Sequence, residues 1–189
     1  MIERFETLLK STNREGMDKL LEFIRKSDFY TAPASTRFHS CHEKGLLEHS
    51  LNVYDCLISK KNNPIWAEVF KDIEDDSLIV SALLHDLCKT YFYVIEMRNK
   101  KDDSGKWVQV PFYTVDDKIP LGHGSKSVML IEEYIRLKPV ERYSINFHMG
   151  WSIPKEEYNT LGLAMRKHPL VLALHEADQE ATYLKETEN

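Results

Sequence analysis

The sequence predicts an all-α fold, a helical bundle into which one small β-hairpin is inserted, and two patterns carry that prediction. Most segments of the 189-residue chain place apolar side chains at the spacing that lines one face of an α-helix. One stretch, about residues 91–111, is instead rich in aromatic and β-branched residues on either side of a polar turn. We therefore expect helices to form the core and the hairpin to lie between two of them.

The helices are expected from their apolar spacing and from start signals. Asp75, Asp76 and Ser77 offer N-cap oxygens and negative charge ahead of residues 78–84. That segment is apolar nearly all round, which predicts a central helix. Pro169 suits a helix start. The expected helices cover residues 2–9, 17–25, 45–58, 78–84, 125–137, 140–149, 156–167 and 169–185.

The hairpin is expected from two short runs of β-formers. Residues 91–95 and 107–110 are the predicted strands, and residues 99–105 supply turn chemistry between them. With no repeat or linker in the chain, we expect one domain over residues 1–189, with residues 1–38 as a helical N-terminal extension packed on it.

Composition narrows the class of protein. No apolar run approaches the length of a membrane span, and the acidic start lacks a signal peptide's apolar region, so we expect a cytoplasmic protein without a membrane partner. The net charge of -5 argues against binding long nucleic acid. A short nucleotide remains compatible, because a bound cation can supply local positive charge. The three cysteines form no C-x-x-C pair, which disfavours structural zinc, and Cys88 is expected to be a buried apolar residue.

The pair His85–Asp86 is the strongest local signal for chemistry. It ends the most apolar predicted helix, where an unpaired carboxylate would be costly to bury. Such a carboxylate must be exposed, hydrogen-bonded or bound to a metal. His49 and Asp178 also lie in predicted helices with apolar neighbours. Histidine and carboxylate together form a ligand set for zinc, manganese or iron.

These residues resemble the HD-domain metal-dependent phosphohydrolases, whose pattern is H…HD…D. The chain supplies it as His49, His85–Asp86 and Asp178, and the resemblance spans roughly residues 39–184. A fuller branch of the family, H…HD…H…H…D, holds two ions. His123 and His148 stand where that branch has its additional histidines.

The resemblance implies a role for each of these residues. His49, His85, Asp86 and Asp178 would hold a first divalent ion, and Asp86 would bridge to a second ion completed by His123 and His148. The ion itself, one or two of Mn, Zn, Ni, Co, Fe or Mg, is left open.

Further side chains are expected to meet the substrate. Lys89 matches the family's lysine four residues after the histidine of the pair, and helical spacing would let it lean over the ion toward a phosphate oxygen. Lys126 is a candidate phosphate contact near a helix N-terminus. His39 and His42 either line the pocket or lie in a surface loop. His175 is either a partner of the ligands or a core histidine.

The function expected from this resemblance is hydrolysis of a phosphate ester by a metal-activated hydroxide, with Asp86 and Lys89 as catalytic residues. The substrate would be a nucleotide or another small phosphorylated compound, as a phosphomonoester or a phosphodiester. A glycine-tyrosine-proline signature, typical of the cyclic-dinucleotide branch, is absent. Three alternatives remain open at this point: a di-iron oxygenase on a similar scaffold, a non-catalytic nucleotide-binding module, and a structural helical domain. The oligomeric state is open as well.

Overall fold

A computed structural model describes residues 1–36 and 40–186, and it confirms the predicted class, mostly helical with one antiparallel two-stranded hairpin. His39, a predicted substrate contact, lies outside the described residues. The described helices are α1 (Ile2–Ser11), α2 (Met17–Lys26), α3 (Gly45–Ser59), α4 (Pro64–Phe70), α5 (Asp75–Leu84), α6 (His123–Glu132), α7 (Pro139–Asn146), α8 (Tyr158–Lys167) and α9 (Leu170–Glu180). The strands are β1 (Tyr93–Lys101) and β2 (Trp107–Val115).

Helix α5 lies at the centre of the fold, as its apolar sequence predicts. Its residues from Ser77 to Leu84 are all buried. Leu83 and Leu84 join a core shared with α1, α2 and α3, whereas Leu78 and Ala82 join a second core shared with α3, α4 and α9. Because apolar groups contact both sides of α5, the helix holds the two cores together, and its C-terminal end lies inside the protein.

A buried ion-pair network fastens the N-terminal helices to the rest of the bundle. Arg14, in the turn between α1 and α2, donates to both Asp76 and Glu141. The Glu141 side chain is fully buried and also accepts hydrogen bonds from Ser77 Oγ and the Lys138 amide. The network therefore links the α1–α2 turn to the start of α5 and the start of α7.

The hairpin begins at Tyr93 rather than at residue 91 and ends at Val115 rather than near residue 111. Tyr93 pairs with Val115 and Lys101 pairs with Trp107, so both strands run beyond the expected bounds. Turn chemistry is confined to Asp102 and its neighbours, since Asp102 Oδ1 accepts from the amides of Ser104 and Lys106. The polar residues before Asp102 can stay in the strand because a two-stranded ribbon leaves them in solvent.

Several helix ends also differ from the prediction. α6 ends at Glu132 rather than near residue 137, and α7 ends at Asn146 rather than at residue 149. α9 ends at Glu180, after which Ala181–Lys185 form a wider π-helical turn. Short α4 was not expected, although Asn63 caps it by accepting from the Ile65 amide and Pro64 occupies its first turn.

Within residues 1–36 and 40–186, no helix combines the length and the apolar character that a bilayer span requires.

Candidate metal centre

Two helices and the segments that directly follow two others bring five of the predicted ligands together in the interior. α3 supplies His49, the two residues directly after α5 are His85 and Asp86, and α9 supplies Asp178. His148 lies two residues after Asn146, the last residue of α7. All five residues are buried: His49, His85, Asp86, His148 and Asp178.

Asp86 lies between the three imidazole rings. Its carboxylate oxygens are 3.3 Å from His85 Nε2, 3.5 Å from His148 Nε2 and 3.7 Å from His49 Nε2. A second carboxylate approaches the same atom of His49, since Asp178 Oδ1 is 3.2 Å from His49 Nε2. Two overlapping triads result, His49–His85–Asp178 and His85–Asp86–His148, each with its ligand atoms within 4.8 Å of one another.

The outer nitrogen of each ring is held by an acceptor. Nδ1 of His85 donates to the Ala82 carbonyl at 2.8 Å, and Nδ1 of His148 donates to the Ile145 carbonyl at 2.7 Å. Because a carbonyl oxygen only accepts, each Nδ1 carries the proton, and each Nε2 can keep its lone pair directed at Asp86 and its surroundings. A histidine that binds a metal through Nε2 is in this tautomer, with the other ring nitrogen donating to an acceptor.

Two buried nitrogen atoms are left without a hydrogen bond. Among the described residues, His85 Nε2 and His148 Nε2 have no partner of acceptable hydrogen-bond geometry, although Asp86 is close to both. An unsatisfied buried polar atom is costly, and two of them facing one carboxylate are difficult to explain by packing. These two nitrogen lone pairs lie beside the carboxylates of Asp86 and Asp178. Such a set of donors fits a divalent ion, which would satisfy both nitrogen atoms.

The charges in the cluster are strongly coupled. Burial alone would raise the pKa of Asp86, but neighbouring Lys89 and His85 hold it well below its usual range. Burial would lower the pKa of His49, yet hydrogen bonds to Asp178 and Glu186 raise it to about 9. The metal-free chain therefore keeps a protonated His49 between two carboxylates. A bound divalent ion would compete with that proton, since metal ligation requires neutral imidazole.

Lys89 lies beside the cluster, but it is not on the helix from which the sequence predicted it to approach. α5 ends at Leu84, and Lys89 lies in a 3₁₀ turn, Leu87–Lys89, so the helical spacing assumed from the sequence is wrong here. Its Nζ atom is 2.7 Å from Asp86 Oδ2 and donates to the Ala34 carbonyl at 2.7 Å. The Tyr93 hydroxyl donates to the same carbonyl at 3.0 Å, so β1 helps to fix this corner of the site.

His123, predicted as a ligand of a second ion, lies outside both triads. It is the first residue of α6, and its Nδ1 is 3.3 Å from Cys88 Sγ. Burial lowers its pKa. Cys88 is fully buried, as expected, and burial raises the pKa of its thiol to about 12, which leaves it protonated at neutral pH. The role of His123 as a ligand stays a prediction.

Two other predicted substrate contacts have protein partners. Lys126 is buried, with its ammonium against Asp117 and 4.9 Å from the centre of the Phe92 ring. His42 is exposed and lies 3.7 Å from Glu48. Their roles toward a substrate stay predictions, and neither belongs to the two triads.

Sequence reasoning left the role of His175 open, and the structure gives it a positioning contact. Its Nδ1 donates to the carbonyl of His148 at 2.8 Å. Gly150 in the same turn has a φ of +57°, and a Cβ there would lie 2.3 Å from the His175 ring. Glycine thus allows the close approach by which α9 supports the backbone of His148.

Glu186 also lies at the site, although nothing in the sequence pattern predicted it there. Its carboxylate oxygens both lie 3.1 Å from His49 Nδ1. A single glutamate in a polar C-terminal segment carries no motif that would mark it. It reaches His49 because the π-helical turn after α9 directs the chain back onto α3, which is a tertiary feature.

Comparison with known proteins gives one partial similarity. Dihydroneopterin 2′,3′-cyclic phosphate phosphodiesterase of Methanocaldococcus jannaschii is 39% identical to this chain over 64 residues. The similar region covers 33% of this chain and 25% of the relative. No family model and no solved structure matches the chain. The fold and site thus describe a helical protein with a buried His/Asp cluster suited to a metal ion, and one similar protein is a phosphodiesterase.

Proposed function

We propose that the protein is a metal-dependent phosphohydrolase of the HD type, acting on a small phosphorylated compound. The observation that carries the proposal is the pair of unpartnered, buried Nε2 atoms of His85 and His148 facing Asp86. The partial similarity to a cyclic-phosphate phosphodiesterase supports the reaction class. A phosphodiester, in particular a cyclic one, is the first substrate class to test.

The first divalent ion is assigned to His49, His85, Asp86 and Asp178. A second ion is assigned to Asp86, His148 and His123. A divalent ion supplies positive charge for phosphate oxygens and lowers the pKa of a water molecule toward neutrality.

Lys89 is assigned to the phosphate. An ammonium group has three N–H donors, and the described contacts of Lys89 use two of them, on Asp86 and on the Ala34 carbonyl. The third can donate to a non-bridging phosphate oxygen, whose negative charge grows during hydrolysis. The same contacts hold the ammonium in place before the substrate arrives, so little ordering is needed in the reaction.

The proposal is tested by a substrate panel. Purified protein is incubated with 2′,3′-cyclic and 3′,5′-cyclic nucleotides, nucleoside monophosphates and short RNAs, each with Mn²⁺, Ni²⁺, Co²⁺ or Zn²⁺. We expect metal-dependent hydrolysis of at least one small phosphate ester in the panel. Oxygen consumption by an iron-loaded sample without any phosphoester hydrolysis would contradict the proposal and favour the oxygenase alternative.

Replacing Lys89 with methionine should lower kcat/KM by about 10²–10³-fold, because a charge-assisted contact to the phosphate is lost. Metal content should survive, since the bound ion supplies the positive charge beside Asp86. The matched control is Lys118→Met, which removes an exposed lysine that pairs only loosely with Asp116. An unchanged kcat/KM in Lys89→Met protein would remove Lys89 from the catalytic group.

Replacing His148 with alanine should reduce the number of ions bound per chain without emptying the site. His123→Ala should do the same to a smaller extent, because His123 lies outside the buried triads. The measurement is the metal-to-protein ratio after equilibrium dialysis. His168→Ala is the control, since His168 stacks on Tyr143 and belongs to neither triad. Wild-type ratios in both variants would show that these two histidines do not hold a second ion.

A further inference from the structure

The His49 ring differs from the other two rings of the cluster in what holds its outer nitrogen. Backbone carbonyls accept from His85 and His148, whereas the acceptor at His49 is the carboxylate of Glu186. The Glu186 side chain is only 1% exposed, so this contact is shielded from solvent. A carboxylate is costly to bury unless donors or positive charge stabilise it, so the burial of Glu186 depends on its contacts at this site.

Glu186 is itself fixed by two further donors. Asn52 Nδ2 donates to Oε1 at 3.0 Å, and Ser40 Oγ donates to Oε2 at 2.9 Å. Asn52 lies three residues after His49 on α3, so both residues face the C-terminal turn. With both oxygens engaged, the carboxylate has one orientation, and that orientation faces His49 Nδ1.

We propose that Glu186 is a positioning residue for the metal site, acting through His49. This role rests on the proposed function, because it requires a divalent ion bound by His49. The carboxylate accepts the Nδ1–H of His49, which fixes the ring and leaves the Nε2 lone pair for the ion beside Asp178. Its negative charge also makes the imidazole a stronger donor to a cation. Partners of this kind change metal affinity without touching the ion.

The test measures metal affinity in the full-length chain by competition with a chromogenic chelator, using Zn²⁺ and Mn²⁺ as probes. Glu186→Leu should weaken binding by about 100-fold and Glu186→Gln by about 10-fold, because the glutamine oxygen still accepts from Nδ1 but carries no charge. The matched control is Glu180→Gln, which alters an ion pair with Lys60 while Glu176 keeps its contact with that lysine. Glu180→Gln should bind metal as the wild type does.

A second readout follows the ring itself. In protein labelled with ¹⁵N-histidine and loaded with Zn²⁺, the wild type should show a slowly exchanging Nδ1–H signal from His49. That signal should be lost in Glu186→Leu and persist in Glu180→Gln. A purely structural role for Glu186 would lower thermal stability and leave metal affinity unchanged.

The outcomes separate the two proposals. Wild-type affinity in Glu186→Leu would overturn the role of Glu186 alone. If that variant does not fold, Glu186→Gln decides, and affinity within about twofold of wild type would overturn the role. A wild-type protein that binds no divalent ion would overturn the metal centre together with this inference. A lack of phosphoester hydrolysis would count against the proposed function only, because affinity is measured without substrate.

Discussion

Replacing Asp86 with alanine should remove both metal binding and hydrolysis. Asp86 is the carboxylate shared by the three imidazoles, and the variant leaves no oxygen between His85 and His148. Loss of residues that only support a ligand costs about 10–100-fold in affinity, so loss of this ligand should cost more than about 100-fold. The measurements are metal content by elemental analysis and kcat/KM on the substrate found by the panel.

Asp86→Ala also leaves the buried Lys89 without its carboxylate partner, so a matched variant is needed. Asp86→Asn keeps the shape and one oxygen while removing the charge, and it should likewise bind metal poorly. Asp116→Ala, which removes an exposed carboxylate near the end of the hairpin, is the control and should behave as wild type. Full metal content in folded Asp86→Ala or Asp86→Asn protein would refute the assignment of Asp86.

Replacing Arg14 with methionine should lower the free energy of unfolding by about 3–5 kcal/mol, as expected when one partner of a buried ion pair is removed. The change leaves Glu141, whose side chain is fully buried, without its cation, and removes a contact to Asp76. The lost network joins α1 and α2 to α5 and α7. The measurement is the free energy of unfolding from the midpoint and slope of urea unfolding, followed by circular dichroism with the metal removed.

The control lies in the same part of the chain. Arg4 pairs with Asp55, but both side chains are partly exposed, so Arg4→Met should cost about 1 kcal/mol or less. Equal effects of Arg14→Met and Arg4→Met would show that the buried network does not fasten the N-terminal helices.

The spacing of apolar residues was sufficient to predict the helical class and the central position of α5. A helix that is apolar on almost every side is stable only when it is buried on both sides. It could not give the helix ends, since the apolar pattern continues past the residues at which α6 and α7 end. The length of the hairpin could not be predicted either, because strand pairing continues through polar residues that β-propensity assigns to a turn.

Motif spacing brought the candidate ligands His49, His85, Asp86 and Asp178 to attention, and the fold places them side by side. The position of His123 at the edge of the cluster could not be derived, because it depends on how α6 packs against the Leu87–Lys89 turn. Glu186 lay beyond prediction, since its approach to His49 depends on a π-helical turn. Sequence patterns thus identify candidate ligands more readily than the residues that could orient them.

The most direct measurement is phosphoester turnover by chelator-treated wild-type protein as one divalent ion is added back, with bound ion measured in the same samples. A metal-dependent phosphohydrolase should show almost no turnover without the ion. Turnover should then rise in proportion to bound ion and stop rising at one or two ions per chain. Full turnover in metal-free protein, or a metal-loaded site without hydrolysis of any phosphate ester tested, would contradict the proposed function.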